Sequence, residues 1–187
     1  ELLFYASKVT GDPVYRNIAI KHAETTMKNH LRPDYSSYHV VDYDTATGKV
    51  LHQQTNQGFS DNSQWARGQG WGIYGFTVMY RETKDNRFLI TAQKMADYYI
   101  NHPNMPADKI PYWDFNAGQP GYVPDWKYDA SKFSYVPRDA SAASLIASAL
   151  LELNKYLPDG KKYYRFAVES LNSLCTPAYL AAPGTNS

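Results

Sequence analysis

Trp65, Arg67 and Trp71 fall within one short stretch, Gln64-Trp-Ala-Arg-Gly-Gln-Gly-Trp71, and their chemistry is complementary. A guanidinium presents a planar fork of N–H donors that matches a carboxylate. An indole is a flat apolar plate that packs against rings. Together they suit a ring-shaped ligand that carries a carboxylate. Arg67 and Trp71 are four apart, so on a helix they share a face. Gly68, Gly70, Gly72 and Gly75 surround them. Each costs about 1 kcal/mol relative to alanine inside a helix, and glycine there lets a backbone or a ligand approach closely. Taken singly, the indoles read as core, the glycines as helix packing and Arg67 as a solvated charge. The cluster points to binding.

The other polar candidates are His39, Gln57, Asp61, Asp114 and Asp139. A carboxylate acting as acid and base on a water needs no cofactor. The sequence does not set two of these carboxylates opposite each other. Alone, Asp139 reads as a helix cap, Asp61 as a turn residue and His39 as a hairpin surface residue. There is no G-x-S-x-G, no P-loop and no nucleotide fingerprint, so no cofactor is expected. Cys175 is the sole cysteine, which excludes an internal disulfide, and His22, His30, His39, His52 and His102 lack metal-ligand spacing. No metal is expected either. A net charge of +1 with no Lys/Arg run argues against nucleic acid. No apolar run approaches the ~20 residues that cross a bilayer, so no membrane partner is expected.

The elements that must position these residues are helical hairpins. A helix over Leu2 to Val9 stops at Gly11; Asp12 caps the next, with Pro13 in its first turn. That second helix runs to about Asn29, with Val14, Ile18, Ile20, Ala23 and Met27 as its apolar candidates. The Trp65–Arg67 helix, with Ser63 as its N-cap and Trp71, Tyr74, Val78 and Met79 as its apolar positions, turns at Lys84-Asp85-Asn86 into another helix. Ala140 to Tyr156 turns through Pro158-Asp-Gly160 into Lys161 to Leu174. The turn aspartates Asp12, Asp85 and Asp159 lie 73 and 74 residues apart, and the pattern behind them repeats: Tyr15, Ala19, Ala23; Phe88, Ala92, Ala96; Tyr163, Ala167. A fixed period marks stacked supersecondary units. The fold class is therefore all-α, a toroid of helical hairpins. Loops inserted between the hairpins lie on one side of such a stack. The first, Leu31 to Ser63, contains a small β-hairpin that carries His39; the second, His102 to Arg138, has little periodicity, and a loop of that length is commonly functional. Glu1 to Lys8 reads as the middle of a helix and Pro183 to Ser187 as a loop, so residues 1–187 are expected to be one partial domain, truncated at both ends.

The run Gln57-Gly-Phe-Ser-Asp-Asn-Ser-Gln-Trp-Ala-Arg-Gly-Gln-Gly-Trp-Gly-Ile-Tyr-Gly-Phe76, followed by Tyr80-Arg-Glu-Thr83, resembles the signature of the unsaturated glucuronyl hydrolases, glycoside hydrolase family 88. The likeness extends to Ser36-Ser-Tyr-His-Val-Val41, Pro111-Tyr-Trp-Asp-Phe115 and Pro137-Arg-Asp-Ala-Ser-Ala142. It implies an (α/α)6 barrel, incomplete in this chain. It also implies hydration of the C4=C5 double bond of a terminal 4,5-unsaturated uronic acid left by a polysaccharide lyase, with a glycosaminoglycan-derived disaccharide as partner. His39, Gln57, Trp65, Arg67 and Trp71 match positions that line the family's substrate cleft. The family's acid/base aspartate lies just before the segment matching Glu1 to Ser7, so the catalytic residues are expected upstream and this piece alone is expected to be inactive. A related reading is an unsaturated rhamnogalacturonyl hydrolase of the same fold, whose motif tends to carry Asn where this chain has Gln69. A reading of another class is a non-catalytic carbohydrate-binding toroid. Periplasm and cytoplasm are both left open.

Overall fold

The computed structural model describes every residue except 125, 128, 130–134 and 185–187. Part of the second insertion and the end of the C-terminal loop thus lie outside the described residues. The elements are α1 (Leu2–Thr10), α2 (Pro13–Asn29), β1 (Val40–Tyr43), β2 (Val50–Gln54), α3 (Ala66–Thr83), α4 (Asn86–Ile100), α5 (Ala140–Leu153) with a 3-10 turn at Asn154–Tyr156, and α6 (Lys161–Leu174). The helices pair as α1/α2, α3/α4 and α5/α6, and α3 also packs along α5. This is the hairpin repeat expected from the turn aspartates.

The helix ends follow their local chemistry. Gly11 closes α1 in the left-handed conformation with φ 73°, where a Cβ would be strained. Asp12, Asp85 and Asp139 each accept a backbone N–H from the first turn of the following helix, from Val14, Arg87 and Ala142 respectively. Ser63 does not cap α3. The N-cap is Trp65, with no side-chain bond, because Ser63 stands earlier and donates its hydroxyl to Asp114 at 2.6 Å.

The repeated alanines form the buried faces of α2, α4 and α6. Ala19, Ala23, Ala92, Ala96 and Ala167 are all buried, as are Phe88 and Tyr163. On α2 this corrects the apolar face, since Val14 and Ile18 are exposed while Ala19 and Ala23 are covered. The small side chains let the paired helices approach closely, and larger residues (Ile73, Phe76, Met95, Ile146, Leu150, Phe166) fill the core between them.

The two insertions meet at the starts of α3 and α5. Segment 111–115 lies between them as a short ladder. The N–H of Ala66 donates to the Trp113 carbonyl, that of Phe115 to Gln64, that of Trp113 to Pro137 and that of Asp139 to Pro111, all at 2.9–3.0 Å. The first insertion carries the antiparallel hairpin β1–β2, with a bulge at Asp42/Tyr43. His39 is not within it; it stands one residue before β1.

The glycines of α3 divide by purpose. A Cβ on Gly70 would lie 2.7 Å from Ile146 of α5, so this glycine sets the α3–α5 approach. A Cβ on Gly75 would meet nothing within 4 Å. Gly70→Ala is therefore expected to lower the unfolding free energy by about 1 kcal/mol or more, overpacking outweighing the gain in helix propensity. Gly75→Ala is expected to raise it by up to about 1 kcal/mol. Chemical denaturation of the two variants checks the opposite signs.

Candidate functional site

Trp65, the N-cap of α3, pairs with Asp114 of the ladder segment, and its indole folds back over the first turn of α3. The space it needs comes from glycine: a Cβ on Gly68 would lie 2.6 Å from the indole ring, and one on Gly58 3.2 Å from the Trp65 Cβ. The ring is 8% exposed. His39 packs on it with centroids 4.2 Å apart, and the Arg67 guanidinium lies over it at 5.3 Å. The Arg67 side chain is 33% exposed, and its Nε lies 3.7 Å from Asp139 Oδ2. Arg67 thus pairs with Trp65 and Asp139 rather than with Trp71, one turn further along the helix.

His39 Nδ1 accepts from the backbone N–H groups of both Asn56 and Gln57, at 3.1 Å each. That fixes the ring as the Nε2–H tautomer. Gln57 reaches the cluster through this backbone bond, and its residue is exposed. Burial holds the His39 imidazole below its ordinary pKa of 6.5. The neutral ring is therefore a hydrogen-bond donor at Nε2.

A cavity of about 540 Å³ opens between the first hairpin and α3. His39, Trp65 and Trp71 line it, together with the bare backbone at Gly68, Gly72 and Gly75. Trp71 is 55% exposed and meets Tyr74 edge-on at 6.1 Å. It is an open indole plate, whereas Trp65 is already covered on its faces. The sequence-derived residues therefore do converge: His39, Gln57, Trp65 and Arg67 form one cluster, and Trp71 stands on the wall of the adjoining cavity. Arg67 is beside that cavity rather than among its lining residues.

The candidate carboxylates are occupied with holding loops. Asp114 is buried and accepts from the Phe59 N–H, the Ser63 hydroxyl and the Asn116 N–H; burial raises its pKa against these bonds. Asp61 accepts from the Thr55 N–H at 2.9 Å and faces His52 Nε2 at 3.7 Å. Asp139 caps α5 with Oδ1, as expected. Among the described residues, no group of three or more His, Cys, Asp or Glu is placed to hold a metal ion, and no helix is long and apolar enough to cross a membrane.

Several positioning groups escaped sequence reasoning. Gln69 is fully buried: its Oε1 accepts from the Ser37 hydroxyl, and its Nε2 donates to the carbonyls of Tyr35 and Met95. Gln64 Oε1 accepts the Ser37 N–H. Arg32 donates to the carbonyls of Ser37, Asp61 and Ser63. These three side chains bind the loop carrying His39 to the start of α3. Only the crowding of glutamines among the glycines hinted at them.

Residues 1–179 match the family described as Glycosyl Hydrolase Family 88. The chain belongs to glycoside hydrolase family 88. Its relatives in that family include an unsaturated glucuronyl hydrolase of Formosa agariphila, 46% identical over 186 residues, which covers all of this chain and 43% of that protein. An unsaturated chondroitin disaccharide hydrolase of Streptococcus agalactiae is 38% identical, covering 91% of this chain and 40% of the relative. Among solved structures, an unsaturated glucuronyl hydrolase specific for heparin superposes with a TM-score of 0.86 at 49% identity, over 98% of this chain and 46% of that one. The solved family 88 neighbours are (α/α)6 barrels, so the three hairpins described above are a portion of that fold. The chain spans less than half the length of these relatives.

Replacing Gln69 by Asn, one methylene shorter, is expected to leave at least one buried partner among Ser37, Tyr35 and Met95 unmet. Stability should fall by about 1–3 kcal/mol, read as a lower midpoint in chemical denaturation. A second expectation concerns pH. Burial holds His30, His39 and His102 below 6.5, His102 at about 4. The unfolded chain then takes up protons before the folded one, so stability is full above about pH 6.5 and declines as pH falls towards 4. The carboxylates held low, Glu1, Glu82 and Asp85, add their loss only below their ordinary values of 4.5 and 3.8. Denaturation across pH 7 to 5 should show the decline, and His39→Asn should make it shallower.

Proposed function

We propose that the protein carrying this chain removes a terminal 4,5-unsaturated uronic acid from lyase-generated, glycosaminoglycan-derived oligosaccharides, by adding water across the C4=C5 double bond. The observation that carries this reading is the arrangement at the start of α3. A guanidinium that makes no hydrogen bond among the described residues lies on Trp65, next to a cavity with Trp71 as an open plate and a neutral histidine on its rim. Names of the family 88 relatives support it, since they specify unsaturated glucuronyl or chondroitin disaccharide substrates.

In this reading Trp71 packs against the sugar ring, and Trp65 forms the wall that holds His39 and Arg67 in place. Arg67 receives the uronic carboxylate. His39 Nε2–H and the exposed Gln57 side chain donate to ring hydroxyls. An enol ether is polarised so that C4 accepts a proton and C5 accepts the hydroxyl of water. The hemiketal formed at C5 opens, and the neighbouring sugar leaves. One carboxylate can deliver the proton and then activate the water, and no cofactor is needed. The resemblance to family 88 implies that the acid/base aspartate lies in the longer protein, before Glu1; within this chain Asp61, Asp114 and Asp139 hold loops and a helix cap.

The test is the full-length enzyme on an unsaturated chondroitin disaccharide, followed by loss of the ultraviolet absorbance of the conjugated double bond. The absorbance should fall with the intact protein and stay constant with residues 1–187 alone. Arg67→Ala should lower kcat/KM on the order of 10- to 100-fold, the equivalent of losing one charge-assisted contact of about 1.5–3 kcal/mol. An intact protein that leaves the absorbance unchanged, or an Arg67→Ala variant with undiminished kcat/KM, would overturn the proposal.

A further inference from the structure

The Arg67 guanidinium sits on a flexible stem, which loses side-chain entropy each time it is ordered around a ligand. Two contacts hold it. Its guanidinium carbon lies over the Trp65 indole, 5.3 Å from the ring centroid, and its Nε lies 3.7 Å from Asp139 Oδ2. The two oxygens of Asp139 divide the work: Oδ1 accepts the Ala142 N–H at 2.7 Å as the cap of α5, which leaves Oδ2 for the guanidinium. Asp139 itself is fixed, being 8% exposed and tied through its N–H to the Pro111 carbonyl. The same ladder segment bonds to the start of α3 through Trp113 and Ala66. Asp139 and Arg67 thus face each other across one rigid ladder, each carried by the start of a different helix.

We propose that Asp139 is a positioning residue for substrate recognition: it holds the Nε edge of Arg67 so that the Nη edge is presented to the uronic carboxylate. The proposal rests on the function inferred above. It treats Asp139 as more than a cap, because a cap needs only one acceptor oxygen and no charge. The geometry makes the two duties separable. Asparagine caps a helix about as well as aspartate but carries no charge to face Arg67.

Electrostatics alone would predict the opposite outcome. A carboxylate beside Arg67 partly neutralises it and repels an anionic substrate, so removing the charge without any positioning effect would tighten binding. The experiment uses the full-length enzyme with unsaturated chondroitin disaccharide and compares Asp139→Asn, Arg67→Ala and the double variant. Asp139→Asn is expected to raise KM on the order of tenfold, with its denaturation midpoint close to that of the parent protein. In the Arg67→Ala background the same change should have little further effect, because Asp139 acts through Arg67. A lower KM for Asp139→Asn, or an equal penalty with and without Arg67, would overturn the positioning role. If Arg67→Ala alone leaves kcat/KM unchanged, the functional reading itself fails. Asp139→Ala, which loses the cap too, should add a drop in stability that Asp139→Asn lacks, keeping the two duties apart.

Discussion

The first N–H groups of an α-helix have no partners within it, and this chain uses that need to build its site. The starts of α3 and α5 are both bound to segment 111–115, through Ala66 to Trp113, Phe115 to Gln64 and Asp139 to Pro111. Two helices that pack side by side are thereby also registered at one end. Trp65 and Arg67 belong to the first start, Asp139 to the second. The α3–α5 packing brings the two helix starts together, and the ladder adds the register that sets the guanidinium and the carboxylate 3.7 Å apart.

Buried polar groups secure the ladder from behind. Asp114 collects the Phe59 N–H, the Ser63 hydroxyl and the Asn116 N–H, so a buried carboxylate becomes a junction between the two insertions. Gln64, Gln69 and Arg32 do the same for the loop before β1. Asp114, Gln64 and Gln69 are buried, and such groups are costly to bury unless their partners are present; Arg32 is half-buried. The loops are consequently held in one conformation, although the first insertion has only a two-stranded sheet and the described part of the second has no regular helix or strand. Function in such an architecture is carried by long connections on a rigid helical base.

The glycines of α3 show how one composition signal can serve several physical ends. Gly68 makes room for the Trp65 indole, Gly70 for Ile146 of α5, and Gly72 for the flexible end of Met95. A Cβ on Gly75 would meet nothing within 4 Å, and this glycine leaves the cavity wall bare. Close approach, the reason such glycines are tolerated in a helix, is real at the first three. Of the α3 glycines, only Gly68 borders the Trp65 ring directly.

Much of this was legible in the chain itself. Helical periodicity, the turn aspartates at 73- and 74-residue spacing and the caps at Asp12 and Asp139 are local or repeating features, so they define the hairpins without any tertiary knowledge. The cluster of Trp65, Arg67 and Trp71 was visible because its members are close in sequence. Tertiary structure decided which partner each one takes. It covers Trp65 with His39 and Arg67, leaves Trp71 open, moves the cap of α3 from Ser63 to Trp65, and turns Asp139 from a cap into a neighbour of Arg67 as well. Apart from the Arg67–Trp65 contact, those outcomes depend on residues far apart in the chain, His39 with Trp65, Ser63 with Asp114 and Arg67 with Asp139, and the energy of such a contact belongs to the pair, not to the pattern of either segment.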